Sequence, residues 1–232
     1  MANATRPLPL TESTANGSPG VQNERQTYRV TSSMEPELLH SELPSNFGEV
    51  VKGIYRSAFP HPWNLPALRH LGLKTIVTLV DEPYTASHTT FLEENGIAHF
   101  RIPIPANKDP AIKTPDHIMI GILEILLNKA NHPVLVHCNK GKHRTGCVVG
   151  CFRKLQGWEL RDVLGEYLSY SWPKSRALDE KFIEAFDASG LRSLTRTTGA
   201  ALWQPTKPSE QKERKEKPQR HLIPAPHGVK VS

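Results

Sequence analysis

Residues 134–146 of the chain read Val134-Leu135-Val136-His137-Cys138-Asn139-Lys140-Gly141-Lys142-His143-Arg144-Thr145-Gly146. The apolar residues at the start of this segment predict a short buried strand. A loop with one glycine follows, and the apolar sequence after Arg144 predicts a helix. A strand that delivers a loop to a helix N-terminus is typical of a parallel α/β sheet, in which such loops lie at the carboxyl edge.

The loop from Cys138 to Arg144 has the residue types that bind a phosphate group. Gly141 lets the loop turn tightly, so that successive backbone N–H groups form an anion-binding nest at the helix N-terminus. Arg144 can hold two phosphate oxygens at once. A cysteine beside cations at a helix N-terminus titrates at roughly 3.5–7.5 instead of about 8.5. We therefore expect Cys138 to be a thiolate nucleophile, with His137 and the Thr145 hydroxyl orienting the loop and donating to the sulfur; the alternative is a buried structural cysteine.

The pattern His-Cys-x-x-Gly-x-x-Arg at residues 137–144 resembles the signature of cysteine-dependent phosphatases, in the version found in the plant and fungal atypical dual-specificity phosphatases. Further segments are similar to that family, namely Asn46-Phe47-Gly48, Gly53-Ile54-Tyr55-Arg56-Ser57, Asn107-Lys108-Asp109-Pro110, Pro173-Lys174-Ser175-Arg176 and Phe182-Ile183. The resemblance covers residues 43–187. It implies a dual-specificity phosphatase-like fold and hydrolysis of the β-phosphate of inositol pyrophosphates through a phosphocysteine.

The composition predicts one folded domain between two tails. Hydrophobic residues make up 38% of the 232 residues, which is low for a fully folded chain. We expect a disordered tail at residues 1–40, a phosphatase catalytic domain at residues 41–187, and a basic, largely disordered tail at residues 188–232. This last tail holds 9 Lys or Arg and 3 Asp or Glu. Its excess of positive charge therefore equals the net charge of the whole chain, +6. Because the surplus lies outside the predicted domain, no nucleic-acid partner is expected.

The cysteine count and the hydropathy pattern indicate a reducing compartment. Three cysteines without paired spacing argue against a disulfide scaffold. No apolar run approaches the ~20 residues that a membrane span needs, and the N-terminus lacks the apolar core of a secretion signal. We therefore expect a location in the cytoplasm or the nucleus. The sequence leaves the oligomeric state open.

Hydrophobic patterns predict an α/β fold, with a central mostly parallel sheet flanked by helices. Strands are predicted as an edge pair within residues 47–56 and at residues 75–80, 97–104 and 134–137. Helices are predicted near residues 64–71, 85–95, 115–126, 145–155, 159–168 and 179–186. Thr114, Pro115 and Asp116 are predicted as the N-cap, N1 and N2 positions of the third helix. Its predicted core face is formed by Ile118, Ile122, Ile125 and Leu126.

The resemblance also implies an aspartate that protonates the leaving oxygen, on a loop well before the cysteine. Asp109 lies 29 residues before Cys138 in a Pro-rich segment, and Asp116 lies 22 residues before it. An acidic residue in the first turn of a helix offsets the helix dipole, which already explains Asp116. We therefore favour Asp109 as the catalytic acid, with Asp116 as the alternative.

Cationic and polar residues on and near the loop predict a small polyanionic phosphate as the substrate, because fixed cations around a cleft attract a polyanion. The predicted substrate-binding residues are Asn107, Lys108, Asn139, Lys140, Gly141, Lys142, His143 and Thr145. The alternative is that these charges only stabilise the thiolate or lie in solvent. For Lys174 and Arg176 both interpretations stay open.

Three other functions compete with an inositol pyrophosphate phosphatase. The first is a protein tyrosine or dual-specificity phosphatase that acts on phosphoproteins. The others are a catalytically inactive phosphate-binding docking module and a sulfurtransferase of the rhodanese type. No metal and no cofactor are expected, because the histidines show no metal-ligand spacing. Cys147 and Cys151 are expected to be core residues, with a resolving thiol for oxidised Cys138 as the alternative.

Overall fold

The computed structural model describes residues 43–205 of the chain. The strands are β1 (Gly48–Val51), β2 (Ile54–Ala58), β3 (Thr75–Thr78), β4 (Ala98–Arg101) and β5 (Val134–Cys138). The α-helices are α1 (Leu65–His70), α2 (Ala86–Glu94), α3 (Asp116–Leu127), α4 (Arg144–Leu155), α5 (Leu160–Ser171), α6 (Ala177–Ala185) and α7 (Arg192–Thr198). Short 3-10 helices occur at Pro62–Asn64, Lys129–Asn131, Ser189–Leu191 and Ala200–Leu202. The predicted tail at residues 1–40 and the part of the second tail at residues 206–232 lie outside the described residues.

The five strands form one sheet in the order β1-β2-β5-β3-β4. β1 pairs antiparallel with β2, and the other three pairings are parallel. β5 lies at the centre of the sheet, and its last residue, Cys138, is opposite Ala58 of β2. The mostly parallel sheet is therefore confirmed, and it places Cys138 at the middle of the carboxyl edge.

The apolar runs of the sequence form the centre of the sheet because both of its faces are covered. Every residue of β3 and β5 is buried. Val134 and Val136 contact the larger hydrophobic cluster, whereas Leu135 belongs to the smaller one, as the two-residue period of a strand requires. α4 is almost wholly buried on the larger side. None of the helices within residues 43–205 is both long and apolar enough to cross a membrane.

The start of α3 differs from the sequence prediction. The helix begins at Asp116 and its N-cap is Pro115, which has an extended backbone with φ −60° and ψ 140°. Thr114 is therefore not the N-cap, and it is buried instead. Asp116 lies in the first turn as predicted, where its charge offsets the helix dipole.

The ordered structure continues past residue 187, where the sequence analysis ended the catalytic domain. Two 3-10 helices and α7 follow, and Leu191 and Ala200 are buried in the main hydrophobic cluster. The side-chain amide of Gln156 donates to the carbonyl oxygens of Ala200 at 3.0 Å and Trp203 at 2.9 Å. The boundary at residue 188 stays a prediction, and these contacts favour a later one. A few separated apolar residues show no helical period in the sequence although they fill the core.

Candidate active site

Cys138 lies where β5 ends, and residues 139–143 form the loop that leads into α4. Cys138 is 3% exposed. Gly141 has a φ of +64°, in the left-handed region that favours glycine. A Cβ at this position would lie 2.5 Å from the carbonyl carbon of Ser57 and 2.6 Å from the nitrogen of Ala58. Glycine is therefore required both by the turn and by the packing of the loop against β2.

The carbonyl groups of residues 139–141 are all hydrogen-bonded to the N-terminal part of the domain. The backbone N–H of Phe59 donates to the carbonyl oxygen of Asn139 at 3.3 Å. The side-chain amide of Asn46 donates to the carbonyl oxygens of Lys140 at 3.4 Å and Gly141 at 2.9 Å. The Arg56 guanidinium also donates to the carbonyl oxygen of Gly141, at 3.0 Å. Because the N–H and C=O of a trans peptide point in opposite directions, the N–H groups of residues 140–142 point away from these donors.

This backbone arrangement forms the predicted nest of amides, at the N-terminus of a helix of 12 residues. Arg144 is the first residue of that helix, and its Nη1 lies 3.5 Å from the carbonyl oxygen of Leu79. The nest and the guanidinium are thus positioned by the same short segment of chain. Together they provide the N–H donors that the oxygens of a phosphate group need.

Asn139, a predicted substrate-binding residue, donates its side-chain amide to the carboxylate of Glu82. This hydrogen bond is the main cause that holds the pKa of Glu82 below its usual value, and the charge of Arg144 adds to it. The side chain of Asn139 therefore links the loop after β5 to the segment after β3 that carries Glu82. The sequence analysis missed Glu82, although its position shortly after a predicted strand was an available signal, because parallel strands end at one edge of the sheet.

His137 is fully buried next to the nucleophile. Its Nε2 lies 2.7 Å from the Tyr84 hydroxyl and 2.9 Å from Thr78 Oγ1. Burial lowers the pKa of His137 to about 3, so the ring is neutral at neutral pH and anchors the end of β5. Thr145 is also buried, and its hydroxyl has no hydrogen-bond partner within residues 43–205. The predicted hydrogen bond from Thr145 to the Cys138 sulfur is therefore not formed there.

Asn107, a predicted substrate-binding residue, has its side chain directed into the domain, and its substrate role stays a prediction. It is 8% exposed, and its side-chain amide donates to Asp179 Oδ1 at 2.9 Å and to Cys147 Sγ at 3.5 Å. Asp179 also accepts from the Tyr167 hydroxyl at 2.7 Å. The loop before α3 is thus tied to the protein interior by a buried carboxylate. Sequence analysis missed Asp179, because an acidic residue in the first turn of a helix is usually explained by the helix dipole.

Lys108 and Asp109 are exposed on this loop. The Asp109 carboxylate accepts from the backbone N–H of Ala111 at 2.9 Å. Asp116 lies in the first turn of α3 and not on this loop. Burial raises the pKa of the Cys151 thiol, and the charge of Asp116 adds to this effect. These placements favour Asp109 over Asp116, and the catalytic role of Asp109 stays a prediction.

The cationic residues of the loop contact the segment between α5 and α6. Lys142 donates to the Trp172 carbonyl oxygen at 2.7 Å. His143 Nε2 lies 2.6 Å from the Lys174 carbonyl oxygen. Lys140 is exposed. The loop therefore carries its predicted charges, and two of these side chains also fix the neighbouring segment.

Cys147 and Cys151 are buried free thiols on α4. Burial, with Asp179 nearby, raises the pKa of Cys147 well above its ordinary value. Burial likewise raises the pKa of Cys151. Both thiols are protonated at neutral pH, which favours the core interpretation over a reactive thiol. Their redox role stays a prediction.

The sequence analysis gave no role to Arg56 and Asn46, although both lie in segments with the family resemblance. Arg56 is 1% exposed on β2, on the same face of the strand as Ile54 and Ala58. A charged residue at a position whose neighbours two residues away are apolar was the available signal. Asn46 has a φ of 57°, which is uncommon for a residue other than glycine. Both side chains hold the loop that carries Cys138.

The cysteine at the end of the central strand, the amide nest and the first-turn arginine have one chemical use in common, which is to transfer a phosphoryl group to sulfur. They define the class of cysteine-dependent phosphatases. The chain belongs to the tyrosine phosphatase family, whose model matches residues 43–203. This finding confirms the resemblance noted in the sequence.

Relatives of known name share most of this domain. The chain is 40% identical over 176 residues to inositol diphosphatase SIW14 of Saccharomyces cerevisiae, covering 75% of this chain and 62% of the yeast protein. It is 46% identical over 152 residues to inositol diphosphatase DSP2 of Oryza sativa subsp. japonica, covering 66% of this chain and 74% of the rice protein. The chain thus spans less than two thirds of the yeast relative's length.

A solved structure shows the same fold. It is the core catalytic domain of the PP-IP phosphatase SIW14 from S. cerevisiae in complex with citrate. It matches with a TM-score of 0.64 and 41% identity, over 70% of this chain and 98% of that one. TpbA of P. aeruginosa, at a TM-score of 0.54 and 22% identity, shares the fold alone.

Proposed function

We propose that this chain is a cysteine phosphatase that hydrolyses the β-phosphate of inositol pyrophosphates. The observation that carries the proposal is the nest at residues 140–142, formed because the carbonyls of residues 139–141 are all held on the other side. Such a nest fits a phosphate group placed at the Cys138 sulfur. The yeast and rice relatives, both named inositol diphosphatases, support the choice of substrate.

The proposed reaction has two displacements at phosphorus. In the first, the Cys138 thiolate attacks the β-phosphorus, and the bond from that phosphorus to the bridging oxygen breaks. The electron pair leaves with the inositol-bound phosphate. In the second, water attacks the phosphocysteine and the sulfur–phosphorus bond breaks, which restores the thiolate and releases inorganic phosphate. Arg144 and the nest amides stabilise the charge on the transferred oxygens in both steps.

The leaving group sets how much acid catalysis the reaction needs. A phosphate has a second pKa near ~6, so it can leave without a proton at neutral pH. A tyrosine or serine oxygen is far more basic and needs a proton donor. Asp109 is exposed on the loop before α3. Its contribution is therefore expected to be small for a pyrophosphate and large for a phosphoprotein.

The exposed charges around the loop agree with a polyanionic substrate. Lys108 and Lys140 are exposed, and Lys142 and His143 belong to the same loop as Lys140. Several fixed cations at one site raise the local concentration of a highly charged ligand. A single phosphotyrosine needs fewer of them.

A substrate comparison tests the function. The purified protein is assayed in the presence of a metal chelator. A diphosphoinositol polyphosphate, a phosphotyrosine peptide and a phosphoserine peptide are tested separately, and phosphate release is measured for each. We expect kcat/KM on the pyrophosphate to exceed that on either peptide by at least ~10²-fold, a discrimination that polar sites readily reach. Equal efficiencies would instead indicate a protein phosphatase. Binding without any release would indicate a docking module.

The nucleophile is tested by Cys138→Ser. We expect this variant to lose turnover by at least ~10⁴-fold while it still binds the substrate, because only the attacking atom is changed. Binding is measured by calorimetry, and turnover by phosphate release. Turnover of the variant close to that of the natural protein would refute the assignment of Cys138.

A further inference from the structure

Arg56 is a buried cation in contact with the anion-binding loop. It is 1% exposed, and its guanidinium carbon lies 3.7 Å from the centroid of the Tyr170 ring. Its Nη2 donates to the Gly141 carbonyl oxygen at 3.0 Å. Its Nε and Nη1 have no hydrogen-bond partner within residues 43–205. None of the ion pairs in that part of the chain includes Arg56.

Such a guanidinium is costly to bury, because a charge removed from water must be offset by another charge or by hydrogen bonds. One carbonyl and one aromatic face offset only part of this cost. A nearby anion would offset the rest of this cost.

Strand pairing and the loop hydrogen bond place Arg56 beside the segment that carries Cys138. Arg56 lies opposite Val136 of β5, two residues before Cys138, and it donates to the carbonyl oxygen of Gly141, three residues after Cys138. Two other acidic groups are near Arg56. Burial raises the pKa of Tyr170, so its hydroxyl is neutral at neutral pH, and Glu166 forms an ion pair of 2.7 Å with Arg153. The Cys138 thiolate of the proposed function is therefore the anion on which this cation can act.

We propose that Arg56 is a positioning residue that fixes the Gly141 carbonyl and, as an unpaired buried cation, favours the anionic form of Cys138. By the planarity of the peptide, the bond to this carbonyl also aims the N–H of Lys142 away from Arg56 and into the nest. Arg56 therefore acts from within the sheet, whereas Arg144 acts on the transferred phosphate. The inference rests on Cys138 as the nucleophile of the proposed function, but its test reads the thiol without any turnover.

Arg153 offers a matched control. It is 3% exposed, its guanidinium carbon lies 4.1 Å from the centroid of the Trp158 ring, and its Nη2 donates to the Val50 carbonyl oxygen at 2.8 Å. It thus shares burial, an aromatic stack and a carbonyl bond with Arg56. It differs in having Glu166 as an ion-pair partner and in making no contact with the loop.

The test is the pH dependence of Cys138 alkylation by iodoacetamide, read by mass spectrometry of the peptide that contains Cys138. We compare the natural protein with Arg56→Met, Arg56→Lys and a double variant, Arg153→Met with Glu166→Gln. The double variant removes the ion pair as a unit, so no unpaired carboxylate is left near Arg56. For Arg56→Met we expect the pH midpoint of alkylation to rise by about 1–2 units, the effect of removing one nearby charge. Arg56→Lys, which keeps the charge, is expected to show less than half of this shift. The double variant is expected to keep the natural midpoint.

An unchanged midpoint in folded Arg56→Met, or an equal rise in the double variant of Arg153 and Glu166, would overturn the proposal. Folding is checked by circular dichroism. If Arg56→Met does not fold, Arg56→Gln carries the same test, because it retains a donor for the Gly141 carbonyl without the charge. Failure of both neutral variants to fold would make Arg56 a structural residue and would also overturn the proposal. If the protein proved not to hydrolyse inositol pyrophosphates, the alkylation result for Cys138 would still test the role of Arg56.

Discussion

A change at one residue, Asp109, is expected to affect hydrolysis of phosphopeptides and of pyrophosphates to different extents. We predict that Asp109→Asn lowers kcat/KM on a phosphotyrosine peptide by ~10²-fold, the usual contribution of a general acid. The same change is expected to lower pyrophosphate cleavage by less than ~tenfold, because a phosphate leaves without a proton at neutral pH. Both values are measured on the purified variant at pH 7.

Asp116→Asn is the control for this prediction, since Asp116 lies in the first turn of α3 and not on the loop before it. It should leave the ratio of the two activities unchanged. Equal losses on both substrates in Asp109→Asn would contradict the leaving-group argument. A larger loss on the peptide in Asp116→Asn would transfer the acid role to that residue.

The roles of some residues could be predicted from the sequence, and those of others could not. Cys138 and Arg144 could be predicted because strand, glycine loop and helix follow one another along the chain, so that their geometry is local. The hydrogen bond from Asn107 to Asp179 could not be predicted from the sequence, because Asp179 lies 72 residues further along the chain. Arg56 was not assigned for the same reason, since the loop carbonyl that it binds is 85 residues away.

The hydrogen bonds of Asp179 join α6 to α5 and to the loop that carries Asp109. Asp179 is 1% exposed in the first turn of α6 and accepts from Asn107 and from Tyr167 of α5. We predict that Asp179→Asn lowers the free energy of unfolding by about 1–3 kcal/mol, because the amide nitrogen that replaces one carboxylate oxygen cannot accept one of the two hydrogen bonds. Urea unfolding of the purified variant gives this value.

Asp162→Asn is the matched control, because Asp162 also lies in the first turn of a helix, α5, but is exposed. Both changes remove one acidic charge near a helix N-terminus, so the difference between them isolates the buried network. A loss of stability in Asp179→Asn no larger than that in Asp162→Asn would show that the network contributes nothing beyond the helix dipole.

At the scale of the whole molecule, the sequence predicts the sheet but not the end of the domain. β3 and β5 are continuous apolar runs, which is the pattern of strands covered on both faces. The segment at residues 188–205 has no such run, and its contacts are made by isolated residues. Trp203 is one of them, with its ring centroid 5.4 Å from that of His132 and 6.4 Å from that of Phe152.

Two shortened chains test whether the domain ends near residue 187 or near residue 205. A chain without residues 188–232 loses the burial of Leu191 and Ala200 and both acceptors of the Gln156 amide. We predict that its free energy of unfolding falls by at least about 3 kcal/mol, the value of burying one or two large apolar side chains. A chain without residues 206–232 keeps all of these contacts, so its unfolding midpoint in urea should match that of the full chain. Equal stabilities of the two shortened chains would place the end of the folded domain at residue 187, because the helices that follow would then contribute nothing to it.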